Sequence, residues 1–113
     1  MLSKANRVVL PGDFRLAVRR GRRFTAPHCV VHIVNNDRSR GVRFGFIVSK
    51  TVGNAVVRNR VRRRLRAAAA QLLPEVRGNA DIVVRALASS AQAELATLQA
   101  EIAEGIDRIM VKV

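Results

Sequence analysis

At 113 residues, 49% hydrophobic and with a net charge of +13, the chain is long enough for one packed domain, residues 1–113, and too apolar for a disordered basic tail. No run approaches the ~18 apolar residues of a membrane span, and the opening MLSKANRVVLPGDF lacks the apolar stretch of a secretory signal. A single cysteine, Cys29, excludes an internal disulfide, so a reducing, cytoplasmic setting is the expectation.

In chain order, Pro11 and Asp13 suit the first turn of a short helix over 11–21, in which Phe14, Ala17 and Val18 share a face and Gly21 supplies the stop. A short strand over 22–25 is only weakly signalled. HCVVHIVN (28–35) is rich in β-branched residues and reads as a strand, and NDRSRG (36–41) as a loop. VRFGFIVSK (42–50) is a second strong strand, with Phe44, Phe46 and Val48 on one side and Arg43, Gly45, Ile47 and Ser49 on the other. Asn54 can cap a helix that runs to about Leu73, ahead of Pro74. Its Val57, Val61, Leu65, Ala68 and Leu72 form one apolar stripe, as expected of a helix docked on a sheet. ADIVVRAL (80–87) is a third clear strand. Ser89 and Gln92 have capping-box spacing ahead of a last helix, 90–110, whose Leu95, Leu98, Ile102, Ile106 and Ile109 face inward beneath an acidic outer face. The pattern is α+β, a small sheet with helices packed on it.

Charge is distributed unevenly. Residues 38–74 hold ten basic side chains and no acidic one, whereas 75–113 hold four basic and six acidic. The densest stretch is GNAVVRNRVRRRLR (53–66), with six arginines in nine positions. Like charges four apart destabilise a helix, and cations at its N-terminus oppose the macrodipole. A solvated helix would interleave glutamates; this one does not, and arginine favours planar, bidentate contact with phosphate. Asn59, Arg62, Arg63 and Arg66 fall opposite the apolar stripe, with Arg58 on one flank and Arg60 and Arg64 on the other. A polyanion partner follows, and nucleic acid is favoured over a membrane surface because the helix has no bulky apolar anchors. With no Trp or Tyr, and with Phe44 and Phe46 read as core, only Phe14 and Phe24 are left to stack on a base.

Catalytic chemistry is harder to place. Asp13 and Asp37 are the only carboxylates before Glu75, and both stand where caps and turns favour Asp. His28 and His32 lie on one face of the expected strand but roughly 13 Å apart at ~3.3 Å per residue, too far to share a zinc ion, and Cys29 points the other way. No nucleophile elbow, phosphate-binding loop or dinucleotide fingerprint is present.

FIVSKTVGNAVVRNRVRRRLR (46–66) resembles the signature of the protein subunit of bacterial ribonuclease P, in which a strand ending in Ser-Lys leads through Gly-Asn-Ala-Val into a helix bearing Arg-Asn-Arg. NRVVLPGDFRLAVRRGRR (6–23) is similar to that family's N-terminal segment, and ADIVVRAL to the strand after its signature helix. The resemblance implies an α-β-β-β-α-β-α two-layer sandwich, the fold also seen in the second domain of a small-subunit ribosomal protein. It includes a left-handed crossover that the ~98% preference for right-handed connections would otherwise disfavour. It further implies removal of the 5′ leader from precursor tRNA, with catalysis carried by a large RNA subunit and Mg²⁺ held mainly by that RNA and the substrate.

Position by position, Arg58, Asn59, Arg60, Arg62, Arg63 and Arg66 would hold the catalytic RNA, with Asn6 and Arg7 adding contacts. The leader of precursor tRNA would lie in a cleft between the first helix and the sheet, lined by Phe14, Val18, His32 and Lys50. Val18 and His32 stand where family members often carry aromatics, so the cleft would grip more by charge and shape. No catalytic residue, metal ligand or obligate protein partner is expected on the chain. The runner-up is a structural RNA-binding protein such as a ribosomal component; a DNA-binding architectural protein and a self-sufficient nuclease rank below it.

Overall fold

The computed structural model describes residues 2–36 and 41–110. In chain order, α1 spans Pro11–Arg20, β1 Arg22–Thr25, β2 Cys29–Asn35, β3 Val42–Ile47, α2 Ala55–Leu72, β4 Ala80–Ala86 and α3 Leu95–Met110. Short 3-10 turns occupy Lys4–Asn6, Leu73–Glu75 and Ala88–Gln92. The order is the α-β-β-β-α-β-α implied by the resemblance. Of the loop expected at 36–41, residues 37–40 lie outside the described residues.

The sheet runs β1-β2-β4-β3. β2 is antiparallel to both β1 and β4, while β3 and β4 are parallel neighbours joined through α2. The weakly signalled strand over 22–25 is real because β2 templates it, Arg22 opposite Ile33 through Thr25 opposite Val30. β3 stops at Ile47, short of the expected residue 50. Beyond it a turn takes over, with Val52 N–H donating to the Ser49 carbonyl at 3.1 Å and a 2.7 Å hydroxyl contact between Ser49 and Thr51. At the outer edge of β3 the N-terminal segment adds a parallel bridge, Arg7 opposite Phe44, with Val8 N–H donating to the Phe44 carbonyl at 2.8 Å. That pairing covers part of an otherwise open sheet edge.

Alternation along the strands sorts residues between two layers. Cys29, Val31, Ile33, Phe44, Ile82 and Val84 join Val61, Leu65, Leu98 and Ile102 in the main core under α2 and α3. The alternate positions, Val30, His32 and Val83, are buried on the side of α1, around Ala17. α1 is held there by close approach and by charge. Gly21 sits where a Cβ would lie 2.9 Å from the Ile33 carbonyl oxygen, and Gly45 where one would lie 2.6 Å from the Phe14 ring. Arg43 donates to both oxygens of Asp81 at 2.8 and 2.6 Å and reaches Asp13 of α1 at 3.2 Å. Asp81's hydrogen bond pushes the Arg43 pKa up, and Asn36 completes the cluster by donating to Asp81 at 2.9 Å. Asp13 thus serves as an anchor between layers as well as a first-turn acid.

Helix α2 starts as read: Asn54 Oδ1 accepts from Val57 N–H at 3.0 Å. Helix α3 does not. The Ser89–Gln92 capping box is absent because Ser89 Oγ donates to the Pro27 carbonyl at 3.0 Å, and residues 88–92 wind as a 3-10 turn ahead of a helix that begins at Leu95. The acidic outer face also needs correction. Glu101 is buried, accepting from the His28 backbone N–H at 3.0 Å and contacting its Nδ1 at 2.5 Å, with Cys29 Sγ 3.6 Å away. Burial, then the Glu101 charge and hydrogen bond, push the Cys29 thiol up to about 12. His28 therefore turns to α3 while His32 faces α1, so the two do not share a face as expected.

Candidate nucleic-acid interface

The six arginines of α2 divide between two flanks. On the flank toward α3, Arg60 donates to the Ala91 carbonyl at 3.3 Å and Arg64 to the Ala93 carbonyl at 2.7 Å. These bonds satisfy backbone acceptors in the segment leading into α3, and both side chains are half-buried. Arg58 is also half-buried, at the start of the helix. On the other flank Arg62 is held by Asn59 Oδ1 at 3.1 Å and the Val48 carbonyl at 3.4 Å. Arg63 and Arg66 are exposed and have no hydrogen-bond or ion-pair partner among the described residues. None of the salt bridges among the described residues involves α2; the carboxylates in them pair with His28, Arg43 and Arg108.

Arg62, Arg63 and Arg66 rim a groove of about 640 Å³ between α2, β3 and the N-terminal segment. Phe44, Phe46 and Val8 line it from the strand side, and Ala67 and Ala70 from the helix. Arg7 stands on the opposite rim, its Nε and Nη2 donating to the Leu2 carbonyl at 3.2 and 3.1 Å. Asn6 is committed too: it donates to the Val42 carbonyl at 2.9 Å and accepts from Ser3 Oγ at 2.8 Å. The Asn-Arg pair thus fastens the N-terminal segment to β3.

The face beneath α1 is more closed than expected. Phe14 is half-buried over Gly45, Val18 is 38% exposed, and Lys50 is exposed in the turn after β3. His32, expected to line the leader cleft, is only 1% exposed, and neither ring nitrogen has a hydrogen-bond partner among the described residues. Burial, then the charges of Arg85 and Arg23, push its pKa down, so it is neutral near pH 7. The register explains the neighbours. His32 pairs with Arg23 of β1, and Arg85 follows Val83 by two on β4 and so shares the α1 side. Arg23 and Arg85 are the cations of this face that sequence reading missed; period-two counting along ADIVVRAL would have flagged Arg85. Phe24, the other stacking candidate, packs against α3 at Gly105 with the Arg108 guanidinium 5.5 Å from its ring centre. Phe46, read as core, is half-buried and lines the groove. Phe14 also lines it, so the arginine flank and the α1 face meet at one side chain.

The family model described as Ribonuclease P matches residues 2–110. The chain belongs to the ribonuclease P protein family. Membership makes it a protein component of the ribonucleoprotein that processes tRNA at its 5′ end, partnered with that particle's RNA subunit, and does not favour the ribosomal alternative. The chain is 46% identical over 108 residues to the ribonuclease P protein component of Clavibacter michiganensis, covering 96% of each. It is 43% identical over 115 residues to that of Nocardioides sp., covering 100% of this chain and 95% of the relative. Among solved structures, ribonuclease P protein from Staphylococcus aureus superposes with a TM-score of 0.83 at 27% identity, over 96% of this chain and 98% of that one. The Thermotoga maritima protein, at 22% identity and a TM-score of 0.75 over 87% and 92% of the two chains, shares the fold.

Proposed function

We propose that the chain works as an electrostatic and positioning subunit. Its α2 arginines hold the catalytic RNA, its α1 face receives the 5′ leader of precursor tRNA, and phosphodiester hydrolysis is left to the RNA with its Mg²⁺. The observation that carries the first part is the set of guanidiniums on the groove flank of α2. Arg62 is oriented by Asn59 and the Val48 carbonyl, and Arg63 and Arg66 stand beside it with no carboxylate partner among the described residues. Such a cluster gains most when phosphates replace condensed counterions. Arg58, Asn59, Arg60, Asn6 and Arg7 surround it, and in this reading Arg60, Asn6 and Arg7 combine internal hydrogen bonds with RNA contacts.

The leader assignment is supported by Phe14 of α1 over Gly45, by the partly exposed Val18, and by Arg23 and Arg85 on the α1 side of the sheet, with Lys50 beyond the end of β3. Three of the carboxylates are engaged within the fold, Asp13 and Asp81 with Arg43 and Glu101 with His28. Among the described residues no three His, Cys, Asp or Glu side chains are placed to bind one. No described helix is long and apolar enough to cross a membrane, and we read the setting as cytoplasmic.

The test is reconstitution. Purified chain, precursor tRNA and low Mg²⁺ are combined with and without a bacterial ribonuclease P RNA, and leader removal is expected only when protein and RNA are both present. Cleavage by the protein alone overturns the division of labour. RNA affinity should fall with salt at a log–log slope of about −4 to −6, for ~6–8 single-strand-like phosphate contacts, and a flat response overturns the phosphate role.

A further inference from the structure

The groove between α2 and the N-terminal segment is built differently from a surface that only meets phosphates. A phosphate track needs cations and solvent access, whereas here the cations rim an apolar trough. Phe46 lies nearly parallel to the buried Phe44, 6° between ring planes and 6.4 Å between centres, and so offers a flat aromatic step inside the trough. The helix side of the trough is lined by Ala67 and Ala70, whose small side chains leave the space open. Gln71 stands at the same wall with an amide that can both donate and accept.

We propose that this groove takes one unstacked nucleotide of the bound RNA, its base against Phe46 and its flanking phosphates on Arg62, Arg63 and Arg66. The inference rests on the RNA-binding reading above and adds to it a base pocket, with Phe46, Ala67, Ala70 and Gln71 as its elements. Charge complementarity selects the occupant. Four guanidiniums, Arg7 included, ask for an anion, and the apolar floor between them asks for a flat, poorly hydrated group; a nucleotide carries both on one scaffold. A duplex does not fit, because its bases are stacked inward and its outer surface is sugar and phosphate. The volume, about 640 Å³, lies within the ~300–1,000 Å³ range of small-molecule sites. Phe14 of α1 is among the lining residues, so the pocket adjoins the leader face and shares that side chain with it.

The experiment fills the groove without touching its charge. Ala67→Leu and Ala70→Leu each place a larger side chain in the trough and keep every arginine. Binding to a bacterial ribonuclease P RNA is measured over a salt series, with folding checked by thermal melting. A loss of about tenfold or more in affinity with an unchanged salt slope is expected, because base stacking is removed while counterion release is not. Unchanged affinity in both folded variants overturns the pocket. A photo-crosslinking residue, p-benzoyl-phenylalanine, in place of Gln71 gives an independent readout. Crosslinks confined to one or two nucleotides that are unpaired in the free RNA support the inference, and crosslinks only to duplex positions overturn it. Failure of the unsubstituted chain to bind that RNA overturns the parent reading as well, so the two failures are distinguishable.

Discussion

The two flanks of α2 carry the same residue type and come to different ends. Toward α3, Arg60 and Arg64 spend their hydrogen bonds on the carbonyls of Ala91 and Ala93. Toward β3, Arg63 and Arg66 project without a partner among the described residues, beside the oriented Arg62. The arginines of one run therefore differ in how far internal hydrogen bonds engage them. Part of it clamps the turn that precedes α3, and part is left for an anion outside the chain.

The sharpest way to break this comparison is to remove charge from one flank at a time. Replacing Arg63 and Arg66 together by Ala should lower affinity for the RNA subunit by ~10-fold or more and make the salt slope shallower by roughly 1.4–1.8, with the melting temperature unchanged. Equal destabilisation of the fold would show that the groove flank is structural after all. Gly45→Ala comes next. A Cβ there meets the Phe14 ring at 2.6 Å, so the ring must move, costing about 1–3 kcal/mol in urea unfolding and disturbing the side chain shared by both faces. Arg64→Ala should do the converse of the first pair. It leaves the Ala93 carbonyl without its 2.7 Å donor, costs about 1–2 kcal/mol of stability, and leaves the RNA salt slope nearly unchanged.

The smallest effect concerns the opposite face of the sheet. His32 has a pKa below its ordinary 6.5 in the folded chain, so the unfolded chain takes the proton more readily. Stability should be unaffected by His32 above about pH 6.5 and should decline as pH falls from there toward the lowered folded value. His32→Phe removes the titrating group and should flatten melting temperature against pH in that window. A decline of equal size in the variant would assign the effect elsewhere.

Much of this architecture was legible in the chain. A β-branched run marked β2, side-to-side alternation marked β3, ADIVVRAL marked β4, the Asn54 cap and the 3.6-residue stripe marked α2, and the signature over 46–66 pointed to the family. Other features misled. Ser89 and Gln92 have the spacing of a capping box, but the Ser89 hydroxyl goes to Pro27, a residue 62 positions away. Strand β1 was faint because four residues, RRFT, carry little pattern of their own; β2 supplies the pairing. Phe46 alternates with Phe44 and packs against the core as read, but near the end of β3 its ring stays half-buried and also lines the groove with Ala67 and Ala70.

By itself the sequence determined the long helices and the three stronger strands, the apolar stripe of α2, and that a crowd of guanidiniums lies on α2 with no acid nearby in the chain. Periodicity and local charge decide those matters within a few residues of backbone. Only the tertiary structure decided which arginines are occupied, that His32 is covered by α1, that Glu101 turns inward to His28, and that Phe14 and Phe46 meet at a groove. Exposure and hydrogen-bond partners depend on what packs opposite, and here those partners come from distant strands and helices that no local pattern encodes.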